Sequence, residues 1–246
     1  MSIFVLNSRW QWVQRSALVG VVAASCVGCA TRPDGNPRDP FETYNRGMFQ
    51  FNDGVDRAIL KPAATVYRAV TPAPVRTGVG NFLGNIEDAW SFVNSVLQGK
   101  PQAAAQTFVR FNVNTFLGLG GILDIASEAR IDRQREDFGQ TLGHWGVPSG
   151  PYLVLPFLGP STVRDTVALP VDMAADIVGS IDHVPTRNAI KVVDLLDTRA
   201  GLLRAGETLD EVALDKYTFT RDAFLQQRRN AVFDGEPPDE PAQPRR

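Results

Sequence analysis

Cys26 and Cys29, the chain's only cysteines, stand in a C-x-x-C arrangement, and His144 and His183 are its only histidines. A dithiol redox pair belongs at the start of a helix beside a strand-helix-strand pattern, and a zinc site needs two further ligands at fitting spacing. Neither condition is met, because the histidines lie far from the pair and from each other. His144 could in principle meet Asp137 and Ser149 as a nucleophilic triad. No G-x-S-x-G elbow surrounds Ser149 or Ser161, however, and the alternative for His144 is a loop hydrogen-bond former. The GLGG run at 118–121 follows a predicted helix where a phosphate cradle would precede one. Asp132, Glu136 and Asp137 alternate with Arg130, Arg133 and Arg135, a pattern that reads as a solvated turn. The sequence therefore carries no catalytic set, no metal site and no cofactor motif.

What surrounds the cysteines gives them another meaning. Arg9 and Arg15 precede the apolar run ALVGVVAAS, too short to cross a hydrocarbon core, which is the profile of a secretory signal peptide. The run ends in V-G-C-A, similar to the lipobox at which bacterial lipoproteins are cut and acylated, although Cys26 occupies the place usually held by leucine. Residues 1–28 are then a signal peptide and Cys29 the lipidated first residue of the mature chain; the alternative is cleavage nearby without a lipid. Several acyl chains, at about 0.8 kcal/mol per buried methylene, anchor a protein almost permanently. Residue 30 is Ala and not the Asp that retains lipoproteins in the inner membrane of two-membrane bacteria, which gives the outer membrane, periplasmic side, as the address. Cleavage removes two arginines and no acid, leaving 23 basic against 27 acidic side chains, a net charge of −4 that argues against nucleic acid.

The elements follow from spacing. Residues 29–38 read as a lipidated tether, 39–234 as one helical domain and 235–246 as a disordered tail with little to bury. Asp39, Pro40 and Glu42 predict an N-cap and capping box for a helix whose stripe includes Phe41, Tyr44, Met48, Phe51 and Val55. Gly47 and Gly54 within it imply close packing or a bend. A second helix is expected over Ile86–Gln98, capped by Asn85, with Trp90, Val93, Val96 and Leu97 on its apolar face and Glu87, Ser91, Asn94 and Gln98 opposite. A third, from Pro101 to about Leu117, is apolar over most of its circumference except for a strip of Gln106, Thr107, Arg110 and Asn114. Such a strip either bonds to neighbouring helices in a core or lines an aqueous passage while the other faces meet lipid or protein. The Gly/Pro-rich stretch from Asp137 to about Asp165 excludes a long helix or central strand. Helical patterning returns at Val163, and Thr208–Glu211 predicts the capping box of a last helix ending in Arg228 and Arg229.

DPFETYNRGMFQFND from Asp39, NFLGNIEDAWSFVNSVLQGK from Asn81, RFNVNTFLGLGGILDIA from Arg110, DFGQTLGHWGVPSGPYLVLPFLGPSTVRD from Asp137 and DTRAGLL from Asp197 together resemble the MlaA (VacJ) family of outer-membrane lipoproteins. The resemblance spans most of the folded domain. It implies an all-α fold, a ring-like assembly of amphipathic in-plane helices with Gly/Pro-rich irregular loops and a central amphipathic channel, lying in the inner leaflet of the outer membrane. Helices too short or too polar to span, with pronounced apolar faces, fit that placement, and Trp90 and Trp145 suit an interface.

The implied activity is removal of mislocalised phospholipid from the outer leaflet through the channel, which maintains lipid asymmetry. A polar path lifts the penalty of carrying a charged head group through hydrocarbon. Gln106, Arg110, Asn114 and His144 are the channel-lining candidates, Arg110 offering the phosphate a charged donor. The resemblance further implies a periplasmic lipid carrier of the MlaC type and a trimeric porin as partners. No cofactor is expected beyond the covalent lipid on Cys29. The alternatives are a porin-associated structural lipoprotein that moves no lipid, and a phospholipid hydrolase dependent on His144.

Overall fold

The structure, a computed structural model, describes residues 36–238; the expected signal peptide, Cys29, most of the tether and the end of the tail lie outside the described residues. Helix α1 (Glu42–Val55) runs through a π turn (Asp56–Leu60) into α2 (Lys61–Val70). Next come α3 (Ala73–Leu97), α4 (Pro101–Phe116), α5 (Ile125–Glu128) and α6 (Phe138–His144). A hairpin of β1 (Tyr152–Leu155) and β2 (Gly159–Thr162) precedes α7 (Val163–Ala175), α8 (Val184–Gly201), α9 (Leu203–Val212) and α10 (Lys216–Val232). The fold is thus mostly helical, and the all-α expectation is corrected by one antiparallel pair, in which Tyr152 faces Thr162 and Leu155 faces Gly159.

The hairpin exists because α1 completes it. Asn45 donates to the Tyr152 carbonyl (3.0 Å) and accepts from the Val154 amide (2.8 Å), and Asn52, two helical turns on, donates to the Leu155 carbonyl (2.9 Å) and accepts from the Phe157 amide (2.8 Å). Two side-chain amides thereby satisfy the strand edge that a third strand would otherwise pair. Behind them Tyr152, Val154 and Tyr217 form a small apolar core with Met48, Phe49, Phe224 and Leu225 packed against it.

Several local readings change. Asp39 does not cap α1: Phe41 holds that position without a side-chain bond. The Asp39 carboxylate instead lies 1% exposed and receives Asn45 (2.8 Å), Arg221 (3.2 Å) and the Tyr217 hydroxyl. Nothing approaches Gly47 or Gly54, and the helix departs from α geometry at the π turn immediately beyond. Asn85 sits inside the 25-residue α3, donating to Thr115 Oγ1 of α4 (2.9 Å). Thr208 is interior to α9, and Asp215 caps the last helix through the amides of Tyr217 and Thr218.

The largest surprise is which face of α3 turns inward. Ser91, Asn94, Ser95 and Gln98 are buried, while Val93, Val96 and Leu97 are exposed. The pattern is general: the largest fully buried side chains include Arg110, Asn45, Asn94, Asn114, Thr107 and Asp88, whereas Phe116, Leu117, Leu119 and Phe157 are each at least two thirds exposed. Among the described residues no helix is long and apolar enough to cross a membrane.

Candidate functional site

The polar interior is built where α3 and α4 pack antiparallel, turned by Gly99 in the left-handed region (φ +68°). Arg110 is 1% exposed and directs Nη2 to Asp124 Oδ2 (2.6 Å), and Nη1 to the Ile131 carbonyl (2.6 Å) and Ser127 Oγ (3.1 Å). Its Nε faces Asp88 Oδ2 at 3.4 Å, and Arg133 Nε approaches the other oxygen of that carboxylate at 3.1 Å. Asn114, one turn on, donates to Asp124 Oδ1 (3.0 Å) and accepts from the Ala126 amide (2.9 Å). A buried charge is tolerated only when paired and hydrogen-bonded, and the i, i+4 spacing of Arg110 and Asn114 makes both reach the N-cap carboxylate of α5.

These contacts set the acids apart. Burial chiefly raises Asp88, with Asp124 adding to it, and the nearby Arg133 and Arg110 only partly offset the rise. Burial also pushes Asp124 upward, but hydrogen bonds from Ser127, Asn114 and Arg110 outweigh it and bring its pKa to about 2.

The network continues along α3. Ser91 Oγ donates to the Gln134 carbonyl (2.5 Å) and accepts from the Glu136 amide (2.9 Å); Gln98 donates to Glu136 (2.8 Å) and Thr141 (3.1 Å); and Thr141 donates to Asn94 (2.7 Å). Of the acids and arginines between Arg130 and Asp137, Arg130, Asp132 and Arg135 are exposed as a solvated turn would have them, and the other three are not. Glu136 is buried, Arg133 meets Asp88, and Asp137 caps α6 and binds Arg228. Beside this network opens a cavity of about 430 Å³, whose walls include Asp88, Ser91 and Gln140 together with Trp90, Glu87 and Asp194. Asp172 holds the Trp90 indole in place by accepting from its Nε1 (2.8 Å).

The structure brings Arg110 and Asn114 together on Asp124, with Gln106 half-buried one turn before. The guanidinium expected to offer a donor to a head group is enclosed by protein partners. His144 stands outside the network, exposed at the end of α6 next to Trp145, whose indole donates to the Leu97 carbonyl (3.0 Å). Asp137 gives its carboxylate to Arg228, at 2.5 and 2.6 Å, and not to a histidine.

The sequence reading missed Asp88, Asp124 and Arg133 as partners of Arg110, and Asn45 and Asn52 as partners of the hairpin. A signal existed for the asparagines: positions 41, 45, 48, 52 and 55 form one helical line, polar at two points of an otherwise apolar stripe. On α3 the signal was the lack of charge at Ser91, Asn94, Ser95 and Gln98, since a solvated face ordinarily carries charged side chains.

The MlaA lipoprotein family model matches residues 37–231. The chain is 36% identical over 223 residues to the intermembrane phospholipid transport system lipoprotein MlaA of Shigella flexneri, covering 89% of this chain and 87% of that protein. It is 37% identical over 225 residues to the protein of the same name from Escherichia coli (strain K12), with coverage of 89% and 87%. The Haemophilus influenzae protein of that name is 36% identical over 233 residues, with coverage of 89% and 90%. A chain solved in work on the structural basis for maintenance of bacterial outer membrane lipid asymmetry superposes with a TM-score of 0.69 at 37% identity, covering 79% of this chain and 98% of that one.

Proposed function

Because this chain belongs to the MlaA lipoprotein family, we propose that it is the lipoprotein of an intermembrane phospholipid transport system. It acts at the outer membrane and maintains lipid asymmetry by removing misplaced phospholipid from the outer leaflet. The observation that carries this reading is the inverted packing: polar side chains crowd the interior along α3 and α4, beside only a small apolar cluster about Tyr152, Val154 and Tyr217, while Phe116, Leu117, Leu119 and Phe157 stand exposed. In water such an exposed apolar surface is unfavourable at about 25 cal/mol per Å². In a bilayer it is the surface that solvates best. The helices lie along the inner leaflet as a ring-like assembly, anchored on the periplasmic side by the lipid on Cys29.

The cavity beside α3 is part of the lipid path, with Arg110 behind its wall against the lining Asp88 and Asn114 next to it on Asp124. Arg110 acts as a strut: bound to Asp88 and Asp124, it fixes the spacing of α3, α4 and α5, and so the width of the path. A head group moving along a polar wall keeps hydrogen-bonding partners throughout and avoids the penalty of bare hydrocarbon. The work is passive. Phospholipid is handed to a periplasmic carrier of the MlaC type, and a trimeric porin holds the ring in place.

The test is the amount of phospholipid in the outer leaflet of cells lacking this protein, with and without complementation by the wild-type gene. Accumulation on loss and clearance on complementation are expected. An unchanged leaflet would overturn the transport reading.

A further inference from the structure

A second cavity, of about 790 Å³, lies between the loop at 146–150, the start of α7 and the last helix α10. Its lining is divided. Val147 and Phe233 give it an apolar side, Arg164 and Arg228 face it with their carboxylate partners Asp165 and Asp137 behind them, and the lining acid Asp222 accepts from Arg221 (2.9 Å).

The arginines are not equivalent. Arg228 is committed, with two bonds to Asp137 (2.5 and 2.6 Å) and two to Asp165 (2.9 and 3.1 Å). Arg164 has a side chain only 5% exposed and spends Nε and Nη2 on Asp165 Oδ1, each at 3.0 Å. Its Nη1 reaches nothing nearer than the Val147 carbonyl, at 3.5 Å, the outer limit of a hydrogen bond. Helix α6 makes room for this group: a Cβ on Gly143 would lie 2.5 Å from Arg164 Nη1. A buried guanidinium donor held in a cavity wall and short of an acceptor is an unfavourable arrangement unless a ligand supplies one.

We infer that this cavity binds the phosphate of a phospholipid head group. Arg164 Nη1 is the donor to a phosphate oxygen, and the glycerol and first acyl carbons lie along Val147 and Phe233. The volume suits a head group with its glycerol. This assignment rests on phospholipid being the cargo of the transport reading, and it places a second contact for that cargo away from the α3–α4 wall.

The test is calorimetric titration of the full-length lipidated protein, in detergent and phosphate-free buffer, with dihexanoylphosphatidylglycerol below its micelle concentration. Dihexanoylglycerol and inorganic phosphate are titrated separately. Saturable binding of the phospholipid is expected, with each of the other two at least about tenfold weaker. Arg164→Gln should weaken phospholipid binding about tenfold or more. Val147→Trp, which fills the cavity and leaves every arginine in place, should do the same, and it carries the test if Arg164→Gln does not fold. Equal binding of dihexanoylglycerol would reduce the site to an apolar groove, equal binding of phosphate would make it a free-anion site, and unaltered binding in the folded variants would place the lipid elsewhere; each overturns the assignment. A wild-type protein that binds nothing here yet clears surface phospholipid in cells ends this assignment and leaves the transport reading intact. Phospholipid binding here, with no surface change on gene loss, does the reverse.

Discussion

Arg110 of α4 and Asp124 at the cap of α5 meet at 2.6 Å, with side chains 1% and 21% exposed. The same guanidinium faces Asp88 of α3, so one side chain ties three helices together. Replacing Arg110 by Leu would leave Asp88 buried beside only Arg133. Breaking a buried pair by removing one partner destabilises by about 3–5 kcal/mol, and urea denaturation of Arg110→Leu should show a loss of that size. Arg110→Lys, which keeps the charge and loses the fork, should fall between that variant and the wild type.

Acid should reveal the same site. The Asp124 pKa is held at about 2, below its ordinary value of 3.8. A carboxylate with a depressed folded pKa contributes stability above its unfolded pKa, and that contribution is lost as pH falls through the folded value. Asp137, drawn down by Arg228 against the effect of burial, acts in the same direction. Raised acids such as Asp88 act in the opposite direction, so the decline that Asp124 contributes between about pH 4 and about pH 2, in stability measured from pH 5 downward, is read as the difference between wild type and variant. The decline should be shallower in Asp124→Asn, which has no proton to take up at that position.

Glycines separate into two kinds. A Cβ on Gly139 would lie 2.5 Å from Arg228 Nη2 and 2.6 Å from Asp165 Oδ1, whereas a Cβ on Gly47 meets nothing within 4 Å. Gly139→Ala should destabilise by about 1–3 kcal/mol through forced displacement of the Arg228 cluster. Gly47→Ala should stabilise by about 0.5–1 kcal/mol, because it only replaces a poor helix former in an open position. Thermal melts of the two variants should move in opposite directions.

How much of this was legible in the sequence divides along physical lines. The mostly helical character of the chain, the boundaries of α4 and the strip carrying Arg110 and Asn114 follow from periodicity, which is local. The length of α3 was not legible: Asn85 has the chemistry of a cap, but its amide is spent on Thr115 of α4, and the helix runs through it. Nor was the direction of its faces, because periodicity finds a stripe without saying what covers it. The hairpin was missed because β1 depends on Asn45 and Asn52, more than a hundred residues earlier. The ion pairs Arg228–Asp137 and Arg110–Asp88 likewise join residues that only the packed helices bring together.

The exposed apolar surface makes its own prediction. Phe116 is 78% exposed at the end of α4. Phe116→Asp should leave stability in detergent within about 0.5 kcal/mol of wild type, as surface changes usually do. In cells the variant should be less active in clearing phospholipid at matched abundance, because a charge there would have to enter lipid. Equal activity would place Phe116 outside the bilayer.

The most direct measurement is transfer itself. The full-length lipidated protein would be reconstituted in vesicles carrying a fluorescent phospholipid, and the label released to a soluble periplasmic fraction followed over time without ATP. The account predicts that transfer depends on the protein and proceeds without nucleotide. Vesicles that lose label equally fast without the protein would contradict it.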